Sequence, residues 1–215
     1  MSRGMGTDMT TTWIANGLSP DLPRSVVMHG DWQGVELAIW RSATGRLSAW
    51  KDRCPHRGMR LSHGFVRGET LACIYHGWVY GQDGACRHIP AHPAMVPPAS
   101  IRAEAFACVE QDGVLWVAPA AATDAPPKLN GMEPVRSLPM RADAAALAQV
   151  SGLTGAHILN GAAQIGGAAV PMCLLLQPKA GAMMVHALCG AGADRLAVSR
   201  WLESLRRDVE NGVTA

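Results

Sequence analysis

The chain has 215 residues, of which 48% are hydrophobic and 17% charged, enough apolar material to bury a core and too much for a disordered chain. Nineteen basic residues stand against seventeen acidic ones, and dividing the chain after Ala120 leaves 11 − 10 = +1 and 8 − 7 = +1. Neither half has the field of a nucleic-acid binder. The opening MSRGMGTDMT has no apolar run and no small-residue cleavage site, so it reads as a polar lead, and a cytoplasmic location is expected.

From residue 13 to 118 the sequence breaks into short β-rich runs: SVVMH, VELAIW, RLSAW, ETLACI, VY, AFACVE and VLWVA. Turn residues separate them at Gly30-Asp31, Gly45, Asp83-Gly84 and Asp112-Gly113. The Asp-Gly joints predict hairpins, so neighbouring strands should pair antiparallel. An all-β module follows, with no helix-period segment inside it.

Residues 119–134 are rich in Pro, Ala and Thr and read as a linker. Residues 135–215 then read as an abbreviated α+β domain. EPVRSLPM, VPMCLLLQ and AMMVHALC are its predicted strands, and Ala142 to Val150 is a short helix. From the N-cap candidate Asp194, the residues Val198, Trp201, Leu202, Leu205 and Val209 recur at helical spacing and predict an amphipathic helix. Ala144 to Pro178 carries no charged residue, but Asn160, Gln164, Pro171 and five glycines interrupt it. Buried strands with turns fit it better than a membrane span.

Six cysteines without a secretion signal argue for thiols or metal ligands over a disulfide framework. Two of them sit in Cys54-Pro-His56-Arg-Gly and Cys73-Ile-Tyr-His76-Gly-Trp78, with sixteen residues between His56 and Cys73. Each segment offers one thiolate and one imidazole on a tight turn, and two such loops can bring two sulfurs and two nitrogens together. That donor set suits zinc or an iron–sulfur centre. A zinc finger pairs its cysteines first and its histidines later on a helix, whereas here each loop supplies one of each among strands. The other cysteines, Cys86, Cys108, Cys173 and Cys189, read as small buried hydrophobes. His63, His88 and His92 read as solvated histidines, and Arg53, Arg57, Arg60 and Arg67 as a basic rim or a solvated face. The glycines at 152, 155, 161, 166 and 167 form no nucleotide-binding motif.

The two segments resemble the Rieske [2Fe–2S] signature, C-x-H followed by C-x-x-H. The Gly84-Ala85-Cys86 turn, Ile89-Pro90 and the DGVLWV strand extend the likeness over residues 13–118. CPHRG and YHGW are similar to the bacterial ring-hydroxylating and demethylating oxygenases. They differ from the cytochrome bc-complex type, which places an extra cysteine after each ligand pair. The resemblance implies one [2Fe–2S] cluster, with Cys54 and Cys73 on the buried iron and His56 and His76 on the outer one. It further implies that the free ring nitrogens of both histidines reach the surface, that Gly58 and Gly77 turn the backbone around the sulfurs, and that Pro55 and Trp78 shield the site. A potential toward the low end of roughly −150 to +300 mV is expected, because Trp78 stands where the high-potential type has Ser.

A complete oxygenase of this family adds a longer domain holding one ferrous iron on two histidines and a carboxylate. Beyond residue 120 only His157 and His186 occur, twenty-nine apart and with no helical His partner. The expected role is therefore an electron-transfer or accessory subunit that passes electrons to a mononuclear iron on an oxygenase catalytic subunit. Its donor would be a flavin reductase or a ferredoxin, with no nucleic-acid or membrane partner, and it could form an oligomer. The alternatives are a free-standing Rieske ferredoxin, a redox sensor, or a short complete oxygenase using His157, His186 and a carboxylate such as Asp143 or Asp194.

Overall fold

The computed structural model describes residues 12–212, so the polar lead at residues 1–10 lies outside the described residues. The chain divides into two compact units, Ile14–Thr123 and a second beginning at Asp124 that also takes in Trp13. Thr12 and Trp13 are tied to it through Asp124: the Thr12 N–H donates to Asp124 Oδ2 at 3.1 Å, and Trp13 Nε1 donates to the Asp124 carbonyl at 3.0 Å.

The first unit is built only of strands and two 3-10 turns. Six strands, β1 (Ile14–Leu18), β2 (Val26–Trp32), β3 (Val35–Arg41), β4 (Leu47–Lys51), β9 (Ala105–Gln111) and β10 (Val114–Pro119), form an antiparallel sheet in the order β1-β10-β9-β4-β3-β2. The intervening β5 (Phe65–Arg67), β6 (Thr70–Ala72), β7 (Val79–Gly81) and β8 (Cys86–His88) make a small sheet in sequence order. The Asp112-Gly113 joint is a hairpin with φ of 54° and 73°, the left-handed pair that a two-residue turn between twisted strands requires. Gln33-Gly34 turns β2 into β3 the same way, with φ of 48° and 84°.

One face of the large sheet buries Leu22, Leu37, Ile39, Ala49, Leu115 and Val117. The opposite face meets the small sheet in a second core, where Trp40, Trp50, Leu61, Leu71 and Tyr80 pack with Cys54, Cys73 and Cys86. Trp50 sits edge-on to both Trp40 and Tyr80, with centroids 5.2 and 6.3 Å apart. The two cysteines of the motif thus emerge from the floor of a rigid aromatic core.

The second unit packs two helices on one sheet. Its strands β11 (Met132–Met140), β12 (Ile158–Ile165), β13 (Ala168–Lys179) and β14 (Ala182–Gly190) pair antiparallel in the order β11-β14-β13-β12. Helix α1 (Ala144–Ser151) and helix α2 (Arg195–Gly212) supply Leu147, Val198, Leu202, Leu205 and Val209 to its core. Both helices begin on an aspartate: Asp143 Oδ1 accepts from Ala146 N at 2.8 Å, and Asp194 Oδ1 from Leu196 N at 2.9 Å. Strand β12, ILNGAAQI, forms although its Asn, Gly and Ala carry little strand propensity, as one of the buried strands expected between Ala144 and Pro178. The uncharged stretch from Ala144 to Pro178 is α1, β12 and most of β13, and no helix among the described residues is long and apolar enough to cross a membrane.

Candidate metal centre

Two loops of the first unit carry the donor residues, and their backbones repeat one hydrogen-bond pattern. In the first, Gly58 N–H donates to the Cys54 carbonyl at 2.8 Å and Cys54 N–H to the Met59 carbonyl at 2.8 Å. In the second, Gly77 N–H donates to the Cys73 carbonyl at 3.0 Å and Cys73 N–H to the Trp78 carbonyl at 2.9 Å. Each loop closes four residues after its cysteine on a left-handed glycine, with φ of 71° at Gly58 and 68° at Gly77. A Cβ at Gly77 would lie 3.1 Å from Pro90 Cγ, whereas one at Gly58 would meet nothing.

The four side chains come together. The Cys54 and Cys73 thiols are neighbours in the buried core, and the backbone N–H groups of Tyr75 and His76 are directed at Cys73 Sγ. The His56 and His76 rings lie edge to face with centroids 4.6 Å apart. Trp78 stacks on His56, at 4.2 Å and 5° between planes, and Tyr75 tilts over His76 at 3.9 Å. Pro55, expected as part of the shield, is exposed, so the Trp78 ring alone of that pair covers a histidine of the motif. Of the other histidines in this unit, His63, His88 and His92 are exposed, His88 within strand β8.

The candidate donor atoms have a character that suits a cluster. His56 Nδ1 is buried without a hydrogen-bond partner, a state that leaves its lone pair for a metal. Burial, then His76 and Arg57 beside it, lowers the His56 pKa, which favours the neutral ligating form. Burial pushes the Cys73 thiol up, and Cys54 adds to the rise, so thiolates here need a cationic centre beside them. Among the described residues no three of His, Cys, Asp or Glu converge as a site for one metal ion. A [2Fe–2S] cluster makes no such demand, since each iron takes only two protein ligands and inorganic sulfides complete its shell.

Three groups around the loops were not singled out by the motif. Tyr80 is fully buried on β7, and its hydroxyl lies 3.1 Å from Cys54 Sγ in a hydrogen bond. Burial and the neighbouring Cys54 push the Tyr80 phenol far above its ordinary value, so it remains a donor. Glu36, from β3, faces Arg60 in a close ion pair and Arg53 at 3.7 Å. Asp52 is fully buried, accepting from Ser62 N at 2.7 Å and Ser62 Oγ at 2.6 Å, with Arg60 Nη1 4.0 Å away. Half of the basic rim is therefore balanced by carboxylates, one of them from a strand fifteen or more residues upstream. Arg57 and Arg67 are exposed.

In the second unit His157 and His186 are not brought together. Ile158, the first residue of β12, pairs with Leu175 and Leu175 with His186, and His157 lies in the bend before that strand. His186 is buried with its Nδ1 2.8 Å from Ser137 Oγ, whereas His157 is exposed. Asp143 and Asp194, the carboxylates considered with them, are the helix caps described above.

Comparison with known proteins agrees with the geometry. The profile of the Rieske [2Fe–2S] domain matches residues 12–110. This part of the chain is a Rieske [2Fe–2S] domain of the kind carried by Rieske oxygenase family members, and such a domain binds one [2Fe–2S] cluster. In sequence the chain is similar to the oxidoreductase NdmD of Pseudomonas putida, 42% identical over 105 residues that make up 48% of this chain and 18% of that protein. It is 38% identical to the 4beta-methylsterol monooxygenase of Methylococcus capsulatus over 99 residues, 45% of this chain and 27% of that one. The chain thus matches well under a third of these relatives' own length. In fold it is similar to apo dicamba monooxygenase, with a TM-score of 0.69 at 19% identity over 93% of this chain and 85% of that one. NdmA of Pseudomonas putida CBB5 gives 0.71 at 17% identity, over 94% and 79%. At these identities the likeness is one of fold, and its coverage takes in the second unit as well as the first.

Proposed function

We propose that Cys54, His56, Cys73 and His76 hold the [2Fe–2S] cluster and that the chain serves as an electron carrier of a Rieske oxygenase system. It would take single electrons from a flavin reductase or a ferredoxin and pass them to a mononuclear iron on a partner oxygenase subunit. The cluster, when bound, supplies a one-electron couple. Everything else is the work of the protein: two buried thiols fix one side of the site, and two imidazoles bring the other side to the surface.

The observation that carries this reading is the buried, partnerless Nδ1 of His56, whose ring lies 4.6 Å from the exposed His76. An imidazole bound through its inner nitrogen exposes its outer edge, and that edge is where an electron leaves with the shortest path. Ile74 and Tyr75, on the second loop itself, are 47% and 62% exposed, a concentration of apolar surface next to His76 that suits a partner's face. Arg57 and Arg67 add positive charge that favours an acidic partner. The second unit leaves His157 exposed and His186 buried against Ser137, so these two histidines do not converge as a mononuclear iron site requires.

The test begins with purified protein, which should contain about two irons and two acid-labile sulfides per chain. After reduction, mixing with the catalytic subunit of a Rieske oxygenase should reoxidise the cluster within one turnover. Stoichiometric zinc in place of iron, or a reduced cluster whose oxidation rate is unchanged by the oxygenase subunit, would overturn the reading.

A further inference from the structure

The first ligand loop begins at the end of β4 and ends at a 3-10 turn, Leu61–His63, and no strand pairing joins its two ends. What joins them is a set of side chains centred on Asp52. Asp52, the residue after β4, accepts both the backbone N–H and the hydroxyl of Ser62, and its own N–H donates to the Glu36 carbonyl at 2.8 Å. Its carboxylate is fully buried, a placement that is costly unless the charge is hydrogen-bonded and balanced. Balance comes from Arg60, which is shared with Glu36, and Glu36 in turn also faces Arg53. Two carboxylates and two guanidiniums thus gather at the foot of the loop, with Asp52 the one that is fully buried.

We propose that Asp52 is a positioning residue for the cluster: its buried carboxylate clasps the loop that carries Cys54 and His56, and its fixed negative charge holds the reduction potential down. This rests on the ligand assignment proposed above. The clasp follows from geometry, because Asp52 stands two residues before Cys54 and Ser62 six after His56, so the Asp52–Ser62 bonds close the loop around both ligands. The charge effect follows from Coulomb's law in a poorly solvated core, where a nearby anion favours the oxidised, more positive state of the site.

Two substitutions separate the parts. Asp52→Asn keeps an acceptor for the Ser62 N–H and offers a donor to its hydroxyl, but removes the charge and leaves one guanidinium unbalanced. Ser62→Ala keeps the charge and removes one hydrogen bond. In the full-length chain, Asp52→Asn should raise the reduction potential, and Ser62→Ala should leave it unchanged. Ser62→Ala should instead speed cluster loss to a chelator by about tenfold, the size of losing one hydrogen bond to a charged group. Asp52→Ala should show both effects, and Asp52→Glu should restore the potential even where the longer arm weakens the clasp. A potential unmoved in Asp52→Asn would overturn the electrostatic part, and a chelation rate unmoved in Ser62→Ala the clasp. Failure of the ligand assignment itself would appear differently, as wild-type protein that binds no cluster.

Discussion

The two ligand loops share a turn and differ in what holds them. The second loop is the connection between β6 and β7, and the pair Ala72–Val79 brackets it directly, so strand pairing fixes both of its ends. The first loop spans two separate parts of the unit and relies on side chains: Asp52 on Ser62, Arg53 and Arg60 on Glu36, and the Arg53 guanidinium on the Gly58 carbonyl at 3.3 Å. Backbone pairing is cooperative and indifferent to side-chain identity, whereas a side-chain clasp fails with a single substitution. The lesson is that two loops of the same local shape should differ in how far mutation outside the ligands disturbs them.

The largest effect removes the symmetry altogether. Cys54→Ser or Cys73→Ser takes a thiolate from the proposed site, and each should abolish the cluster, with iron and sulfide falling to background in purified protein. Retention of two irons by either variant would break the assignment for that loop. The glycines come next. An alanine at a left-handed φ costs about 1–2 kcal/mol, so Gly58→Ala and Gly77→Ala should both destabilise. Gly77→Ala should be the worse of the two, because its new methyl also meets Pro90. Denaturant midpoints of the cluster-loaded proteins would check the order, and a reversed order would mean that the first loop is the stiffer.

What could be read in the sequence follows the same division. Cysteines and histidines at fixed spacing, the Asp-Gly hairpins and the amphipathic period of α2 are local signals, and each is present in the structure as an element or a convergence of side chains. The strands β5 and β8 were too short for a pattern, β1 and β12 too poor in strand-forming residues. Glu36, Tyr80 and the Asp52–Ser62 pair act through contacts between distant segments, which no window of sequence reveals. That His157 and His186 form no iron site was suggested by their separation in the chain, and the structure leaves the first exposed and the second buried.

A smaller and purely electronic effect is expected at Tyr80. Its hydroxyl bond to Cys54 withdraws charge from that sulfur, an influence the sequence argument for a low potential did not include. Tyr80→Phe keeps the ring in its edge contact with Trp50 and removes only the hydroxyl. The cluster should be retained and its potential should fall. A potential that stays put, measured by redox titration followed in the visible spectrum, would show that the second sheet's only influence on the first loop is mechanical.

The smallest expected effect tests whether the loops act on each other at all. Trp78 belongs to the second loop, yet its indole stacks on His56 of the first, nearly parallel at 4.2 Å. Such a contact is worth about 0.5–1.5 kcal/mol beyond the area it buries, so it is a weak tie compared with the ligands themselves. Trp78→Ala should leave the iron content unchanged and speed cluster loss to a chelator only severalfold, while Trp78→Phe, which keeps a ring over the imidazole, should recover most of the difference. The potential should move less than in Tyr80→Phe, because an indole face offers the sulfurs no hydrogen bond. Chelation kinetics of Trp78→Ala combined with Ser62→Ala give the sharper reading. If the strand-held loop steadies the clasped one through this ring, the two substitutions together should exceed the product of their separate effects, since each removes what compensates for the other. Simple multiplication would mean that the first loop depends on its own clasp and owes nothing to its neighbour.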